Sequence, residues 1–194
     1  MRDLLQAHVD GSPPGSRIDW ATYYFRDSAL ADALIRASDR GVHVSLVMEP
    51  DPRLAGTNQA VAATLRRHGL NGGFRLYNPG PTNRGHLHAK IYAFSSPDVA
   101  WVGSFNPSGD EPEDPAVIAE IGDQNRGHNL LLGIERPILN AALRGHVGKL
   151  GRWNLIPPRL TPHFNKSVED SGTRLYFYPR LYPRPAERAI RRLT

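Results

Sequence analysis

The segments "HLHAK" (residues 86–90) and "GSFN" (residues 103–106) carry the polar side chains whose types and spacing best suit chemistry. A short turn at Ser95 to Asp98 lies between them, which predicts that the two segments belong to the two strands of a β-hairpin. Because successive side chains of a strand point to opposite faces, His86, His88 and Lys90 share one face. Ser104 and Asn106 share one face of the return strand in the same way. If the polar faces coincide, an imidazole, an ammonium, a hydroxyl and an amide converge.

This set of groups suits a phosphodiester substrate. Lys90, Ser104 and Asn106 can hold the non-bridging oxygens and stabilise the charge that grows on them. His88 can attack phosphorus and later release it, because imidazole titrates near neutral pH. His86 and His88 also resemble a metal-ligand pair, but no third ligand with suitable spacing stands nearby. We therefore predict no metal and no cofactor, and we place His86 at the rim of the pocket or in a structural role.

The elements that must position these groups follow an α/β pattern. Aromatic and β-branched residues predict strands, and helical spacing of apolar residues between capping residues and glycines predicts helices. Strands alternating with helices of this length indicate βαβ units and a parallel sheet. The predicted elements are a strand at 17–25, a helix opened by Asp27 or Ser28 and ended by Gly41, a strand at 42–48, a helix opened by Thr57 or Asn58 and closed by Gly69, and a strand at 74–78.

The second half of the chain begins with a long loop, predicted for residues 107–127 because they are rich in Pro, Gly, Asp and Glu. "NLLLGI" (129–134) predicts a strand buried on both faces. Pro137 starts a helix that runs through Leu150.

The tail repeats an earlier pattern, which suggests the beginning of a second copy of the fold. Residues 173–180 are aromatic and β-like, and a helical segment follows at 186–193, as in the strand and helix of residues 19–36. We therefore expect residues 1–150 to form one unit, residues 151–172 a linker, and residues 173–194 the start of a second repeat or a C-terminal tail.

At the two polar segments the sequence resembles the phospholipase D superfamily, whose signature is His-x-Lys followed by Gly-Ser-x-Asn. The stretch "YYFRDSALADALIRASDRGVHVSLVME" (23–49) also resembles the strand, helix and strand that precede this motif. The resemblance covers roughly residues 14–150. It implies an α-β-α sandwich with a mixed, mostly parallel sheet flanked by helices, and makes residues 1–150 a catalytic half-domain.

The resemblance implies a metal-independent phosphodiesterase that hydrolyses or transfers phosphatidyl or nucleotidyl groups through a phosphohistidine. His88, Lys90, Ser104 and Asn106 match its catalytic positions. We favour a phospholipid substrate, because "RGVHV", "NLLLGI" and "GSFNPSG" are similar to phospholipase and cardiolipin-synthase-like members. The alternatives are a nuclease of the same superfamily and a non-catalytic, phosphate-binding half of a two-repeat protein.

Two positions depart from the family pattern. The motif Asp expected five residues after the lysine is Ser95, and Asp98 lies three residues later, in the turn. The carboxylate that commonly precedes the next strand, and orients the nucleophilic histidine, is also missing from its usual place. The candidates for that orienting role are His128, Asn129, Glu120 and Asp123.

The resemblance also implies that two copies of the motif build one active site. One imidazole must attack phosphorus while another protonates the leaving oxygen, and the family supplies the two from tandem repeats or from a homodimer. This chain contains one His-x-Lys followed by Gly-Ser-x-Asn. We expect either a homodimer or a missing second half-domain to complete the site.

Charge and composition agree with an anionic partner. The net charge is +5 and the pI is about 9.8, which favours phosphodiesters, nucleic acid or an anionic lipid surface. The absence of cysteine excludes disulfides and thiolate metal sites. We expect no signal peptide and no transmembrane segment, hence a cytoplasmic protein or one at a peripheral membrane surface.

Overall fold

A computed structural model of the protein describes residues 1–78, 85–108, 129–152 and 165–178. The helices in these ranges are α1 (Arg2–Gly11), α2 (Ser28–Asp39), α3 (Gln59–His68) and α4 (Pro137–Arg152). The strands are β1 (Arg17–Thr22), β2 (His43–Met48), β3 (Phe74–Leu76), β4 (Ile91–Ser95), β5 (Asp98–Gly103), β6 (Leu131–Ile134), β7 (Val168–Asp170) and β8 (Thr173–Leu175). The first six strands form one sheet in the order β3-β2-β1-β4-β5-β6.

The large sheet is mixed. β1, β2 and β3 pair in parallel, which confirms the two βαβ units predicted from the sequence. β4 joins the other side of β1 and runs antiparallel to it, and the pairings of β4 with β5 and of β5 with β6 are also antiparallel. Among the described strands, parallel pairing is therefore confined to β1, β2 and β3, and a tight hairpin turn joins the antiparallel strands β4 and β5.

Helices cover both faces of the sheet, as the predicted α-β-α sandwich requires. Trp20, Leu46 and Tyr92 point to one face, into a core shared with α1, α2 and α3. Ala21 and Val47, the next residues along β1 and β2, point to the other face, where α4 packs. This alternation is the period of two expected of strands that are buried on both sides.

Local signals set most boundaries. The Asp27 side chain accepts a hydrogen bond from the Leu30 amide at 2.8 Å, which confirms it as the N-cap of α2. Gly69 adopts a positive φ of 74° and ends α3 as predicted. Helix α1 was not predicted, although its buried Leu5 and Val9 have helical spacing.

The prediction that residues 129–134 are buried on both faces is wrong. Among the described strands β6 lies at the edge of the sheet, and Leu130 and Leu132 are 69% and 60% exposed. The apolar run therefore supplies one buried side chain, Ile134, and an exposed apolar strip beside it.

The C-terminal residues that the structure describes form a hairpin of β7 and β8. The Phe177 ring stacks on His146 of α4 with ring centroids 4.3 Å apart, so this segment adds to the second core. β7 falls within the predicted linker of residues 151–172. The division into a half-domain, a linker and a second repeat stays a prediction, and the predicted helix at 186–193 lies outside the described residues, as does most of the predicted loop at 107–127.

Candidate active site

The predicted site residues that the structure describes lie at one end of the strands of the large sheet. The carboxyl ends of β1, β2 and β5 meet there with the amino ends of β4 and β6. His86, His88 and Lys90 precede β4, while Ser104 and Asn106 follow β5. Open α/β sheets bind ligands outside the carboxyl ends of their parallel strands, so this end is where a substrate is expected.

The motif segment is not part of a strand, in contrast to the sequence prediction. The hairpin turn lies between Ser95 and Asp98 as expected, but β4 begins only at Ile91. Residues 85–90 instead cross this end of the sheet toward β2, where the Leu87 amide donates to Glu49 Oε2 at 2.6 Å. Leu87 is buried while His86 and His88 are exposed, so the predicted alternation of faces holds as far as His88. Lys90, which was predicted to share the face of the two histidines, is buried instead.

His88 and Lys90 both pack against the ring of Tyr23. The rings of His88 and Tyr23 meet edge to face, with centroids 4.7 Å apart. Lys90 Nζ lies 5.0 Å from the centre of the same ring, a cation–π distance, and donates to the His88 carbonyl at 3.0 Å. The Tyr23 hydroxyl accepts a hydrogen bond from the Arg53 amide at 2.6 Å, which fixes the far end of the ring. Tyr23 therefore positions both motif side chains.

Burial shapes the electrostatics of this pair. Lys90 is only 6% exposed, and burial lowers its pKa to about 8. Burial, together with the positive charge of Lys90, also lowers the pKa of His88 below its ordinary value. At neutral pH the imidazole is therefore mainly neutral and able to act as a nucleophile, while the ammonium is mainly charged and able to bind an anion.

Asn106 lies beside the same group of side chains, because it is hydrogen-bonded to Tyr24, the residue that follows Tyr23. Its Oδ1 accepts a hydrogen bond from the Tyr24 amide at 3.2 Å, which leaves the amide NH₂ of the side chain able to donate to a phosphate oxygen. Across the hairpin, the Gly103 amide donates to the Lys90 carbonyl at 3.3 Å, so the tetrapeptide begins beside the motif lysine.

Ser104 is tied to the segment that enters β6. Its amide donates to the Leu130 carbonyl at 2.9 Å, and its Oγ accepts a hydrogen bond from the Leu130 amide at 3.0 Å. The hydroxyl can donate to Asn129 Oδ1 at 3.4 Å. The observed contact of Asn129 is therefore with Ser104, and its role in orienting His88 stays a prediction. The other candidates for that role, His128, Glu120 and Asp123, lie outside the described residues.

Glu49, which the sequence analysis missed, is the buried carboxylate of this end of the sheet. It is 3% exposed, and besides Leu87 it accepts hydrogen bonds from the Asp51 amide and from His86 Nδ1, each at 3.2 Å. Its charge adds to burial in raising the pKa of Tyr77. The available signal was its position directly after β2, at the carboxyl end of a parallel strand.

Asn58, also missed, joins the loops that follow β1 and β2. Its side-chain NH₂ donates to the carbonyls of Tyr23 and Glu49 at 2.7 and 2.9 Å, and its Oδ1 accepts from the Phe25 amide at 2.8 Å. The sequence analysis named Asn58 only as a candidate first residue of α3. In the structure its side chain fixes the backbone on either side of the site.

Asp98 lies at the opposite end of the strands, as the first residue of β5 directly after the hairpin turn. Its Oδ1 accepts hydrogen bonds from Asn140 and from Arg144 of α4, the latter at 2.7 Å. Both side chains also donate to the Phe94 carbonyl. Ser95 Oγ accepts from the Arg17 amide at 2.8 Å instead. Asp98 therefore anchors the hairpin to α4, whereas Ser95 ties it to β1.

No group of three or more His, Asp or Glu side chains in the described residues is arranged to hold a metal ion. No helix within the same ranges is long and apolar enough to cross a bilayer.

Comparisons with known proteins bear on the family and the fold of the chain. A family model described as "Cardiolipin synthase, PLD-like domain" matches residues 12–111, slightly more than half of the chain. Among solved structures, the chain is similar to the phospholipase D family member Nuc from Salmonella typhimurium, with a TM-score of 0.55 and 19% identity over 77% of this chain and 85% of that one. NucT from Helicobacter pylori is similar with a TM-score of 0.55 and 14% identity, over 76% of this chain and 85% of that one. No curated protein sequence matches this chain.

Proposed function

This chain belongs to the phospholipase D-like family, and we propose that it cleaves phosphodiesters through a covalent phosphohistidine formed on His88. The observation that carries the proposal is the grouping of His88 and Lys90 on the ring of Tyr23, with Asn106 held one residue further along by Tyr24. The proposed nucleophile, a buried cation and the proposed neutral donor thus lie at the end of the sheet where a substrate is expected.

In the proposed first step, His88 attacks phosphorus, a nitrogen–phosphorus bond forms and the bond to the leaving oxygen breaks. Lys90 and Asn106 hold the non-bridging oxygens, and Ser104 adds a further donor at the end of β5. Water then attacks phosphorus and the nitrogen–phosphorus bond breaks, which frees His88. An acceptor alcohol in place of water gives transfer instead of hydrolysis.

We favour a phospholipid substrate over a nucleic acid. Leu130, directly before β6, and Leu132, within it, expose apolar side chains. The Leu130 amide donates to Ser104 Oγ, so an apolar strip begins beside a proposed phosphate-binding residue. Acyl chains suit such a surface, while the net charge of +5 suits either anionic substrate. The family model, described as cardiolipin synthase, points the same way.

The test is hydrolysis of bis(p-nitrophenyl) phosphate in the presence of EDTA by wild type, His88→Ala and His43→Ala. His43 is an exposed histidine at the opposite end of β2 and serves as the matched control. We expect wild type and the control to turn over and His88→Ala to lose at least about 10²-fold in rate. Mass spectrometry of acid-quenched wild type should find the substrate-derived phosphoryl group on the peptide that contains His88.

Wild-type activity that appears only on addition of Zn²⁺ or Mg²⁺, or full activity of His88→Ala, would refute the proposed chemistry. The substrate class is tested in parallel with phosphatidylglycerol vesicles and single-stranded DNA. Faster cleavage of DNA would replace the lipid assignment by the nuclease one.

The assembly implied by the family resemblance also stays a proposal. A second copy of the motif, from a homodimer or from a second half-domain, is expected to bring an imidazole to the leaving-group side. Mixed oligomers of wild type and His88→Ala chains test it, because pairing alters the activity of the mixture.

A further inference from the structure

We propose that Glu49 is a positioning residue, which fixes the motif segment of residues 85–90 so that His88 lies where it can attack phosphorus. The assignment rests on the proposed function, because Glu49 acts only through the nucleophile that this function requires. Its carboxylate bonds to the main chain at Leu87, the residue before His88. Glu49 therefore determines where the nucleophile lies, a role distinct from that of the group that orients the His88 ring.

The motif segment needs such support because its histidines precede the strand that carries them. The pairing of β4 with β1 and with β5 begins at Ile91. A paired strand is held by main-chain hydrogen bonds along its length, whereas residues 85–89 depend on individual contacts. One of these contacts is the bond from the Leu87 amide to Glu49 Oε2, which at 2.6 Å is as short as charge-assisted hydrogen bonds are.

Asn58 ties together the two residues that hold the motif. Glu49 holds it through its carboxylate at Leu87, and Tyr23 holds it through its ring at His88. The side-chain NH₂ of Asn58 donates to the carbonyls of both Tyr23 and Glu49, at 2.7 and 2.9 Å. Asn58 is 2% exposed, so water does not compete for these bonds. The motif and Asn58 thus complete a closed ring of contacts, in which neither Tyr23 nor Glu49 can shift alone.

The burial of the Glu49 carboxylate points to the same role. Glu49 is 3% exposed, and burying a carboxylate is costly unless its oxygens are hydrogen-bonded. Oε2 accepts the Leu87 amide, and Oε1 accepts the Asp51 amide at 3.2 Å and lies 3.2 Å from His86 Nδ1. An apolar side chain would fill this space at a lower cost. The carboxylate is explained by the two main-chain amides that it holds, one in the loop after β2 and one in the motif.

Loss of this acceptor should affect the nucleophile more than the cation. Lys90 has an anchor of its own, because its carbonyl accepts the Gly103 amide across the hairpin at 3.3 Å. His88 lies two residues further from that anchor and next to the bond made by Glu49. A displacement of a reacting group by about 1 Å costs about 10²-fold in rate. We therefore expect a change at Glu49 to lower kcat while KM, which depends on anion binding by Lys90, changes little.

Two substitutions separate the acceptor from the space that it fills. Glu49→Gln keeps a side-chain oxygen that can accept the Leu87 amide, whereas Glu49→Met has a similar length and no such oxygen. kcat and KM for bis(p-nitrophenyl) phosphate are measured with wild type and both variants. Asp98→Ala is the control for a general loss of stability, because it removes an anchor at the opposite end of the strands. Melting curves establish that each variant is folded.

NMR provides a second readout that does not depend on activity. The Tyr23 ring meets the His88 ring edge to face, so its ring current shifts the His88 ring protons for as long as the two rings keep this contact. The Leu87 amide should exchange slowly with solvent while Glu49 accepts it. Both signals are followed in wild type and in the three variants.

We expect Glu49→Met to lose about 10²-fold in kcat with KM within about threefold of wild type, and Glu49→Gln to stay within about tenfold. In Glu49→Met the His88 ring protons should shift and the Leu87 amide should exchange faster, whereas Glu49→Gln and Asp98→Ala should resemble wild type. If Glu49→Met does not fold, Glu49→Asp takes its place, because it draws the carboxylate back from Leu87 by one methylene. The same losses are then expected in smaller measure.

Wild-type kcat and an unchanged His88 spectrum in Glu49→Met, or in Glu49→Asp where that variant replaces it, would overturn the proposal. A loss of kcat that Glu49→Gln shares in full would assign the effect to the charge, and a loss that Asp98→Ala matches would assign it to stability. Either result overturns the proposal as well. Full activity of His88→Ala would instead refute the proposed function, and the NMR signals would still report whether Glu49 holds His88 in place.

Discussion

Replacing Lys90 by methionine is expected to stabilise the fold while it abolishes catalysis. Lys90 is buried, and its pKa falls from 10.5 to about 8. Since one pKa unit corresponds to about 1.4 kcal/mol, keeping this side chain charged costs the folded state roughly 3 kcal/mol. Methionine has a similar length and removes the charge. Loss of the hydrogen bond to the His88 carbonyl and of the contact with the Tyr23 ring offsets about 1–2 kcal/mol of the gain.

The net gain of about 1–2 kcal/mol should raise Tm by about 3–6 °C at neutral pH. The stability difference between Lys90→Met and wild type should change with pH in one direction. The folded-state pKa lies below the unfolded one, so between about pH 8 and 10.5 the unfolded chain binds more protons and wild-type stability rises with pH. The advantage of Lys90→Met is therefore full below pH 8, vanishes roughly midway between pH 8 and 10.5, and is reversed at pH 10.5, where only the lost hydrogen bond and ring contact remain.

Thermal unfolding followed by circular dichroism across this pH range measures the difference, with Lys166→Met as the control. Lys166 is exposed, so its replacement should leave both Tm and activity unchanged. Two results would refute the link between the burial of this cation and the stability of the fold. One is a Lys90→Met chain that is no more stable than wild type at neutral pH, and the other is a difference in Tm that does not change with pH.

Two further predictions concern the pH profile and the hairpin turn. Cleavage needs a neutral His88 and a charged Lys90, so kcat/KM should fall as the pH rises through about 8. A kcat/KM profile that stays flat well above pH 8 would contradict the role assigned to Lys90. Asp98→Ala should lower the free energy of unfolding by roughly 1–3 kcal/mol, because it removes the acceptor that Asn140 and Arg144 share, yet should leave kcat/KM within about threefold of wild type. Exposed Asp32→Ala is its control in denaturant titrations, and an equal loss of stability in that variant would remove the role given to the turn.

The sequence predicts those parts of the fold whose signals are local. The order of helices and strands from β1 to β3 follows from the β-rich runs, from Asp27 as a helix cap and from Gly69 as a helix end. The structure has the same order. The sequence predicts β6 less well, because an apolar run is equally typical of a central strand and of an edge strand that exposes Leu130 and Leu132. Whether a strand lies at the edge depends on the whole sheet, so the four residues of β6 alone do not indicate it.

The same limit applies to the candidate site. Residue type and spacing identify His88, Lys90 and Asn106, because their motif is contiguous in sequence. Glu49 and Tyr23 reach the motif only because β1 and β2 end beside the segment that precedes β4, a proximity between residues far apart in the chain. Lys90 was expected to share one polar face with His86 and His88, and its burial against Tyr23 depends on that same tertiary contact.

The two cores of the sandwich have a consequence for the order in which the nascent chain acquires structure. The core beneath α1, α2 and α3 draws its buried residues from positions 5–99, so it can condense as soon as that stretch has left the ribosome. The core beneath α4 needs residues from Ala21 to Phe177. Until α4 and the β7–β8 hairpin are synthesised, one apolar face of the sheet stays uncovered, and the emerging chain is then most prone to aggregation.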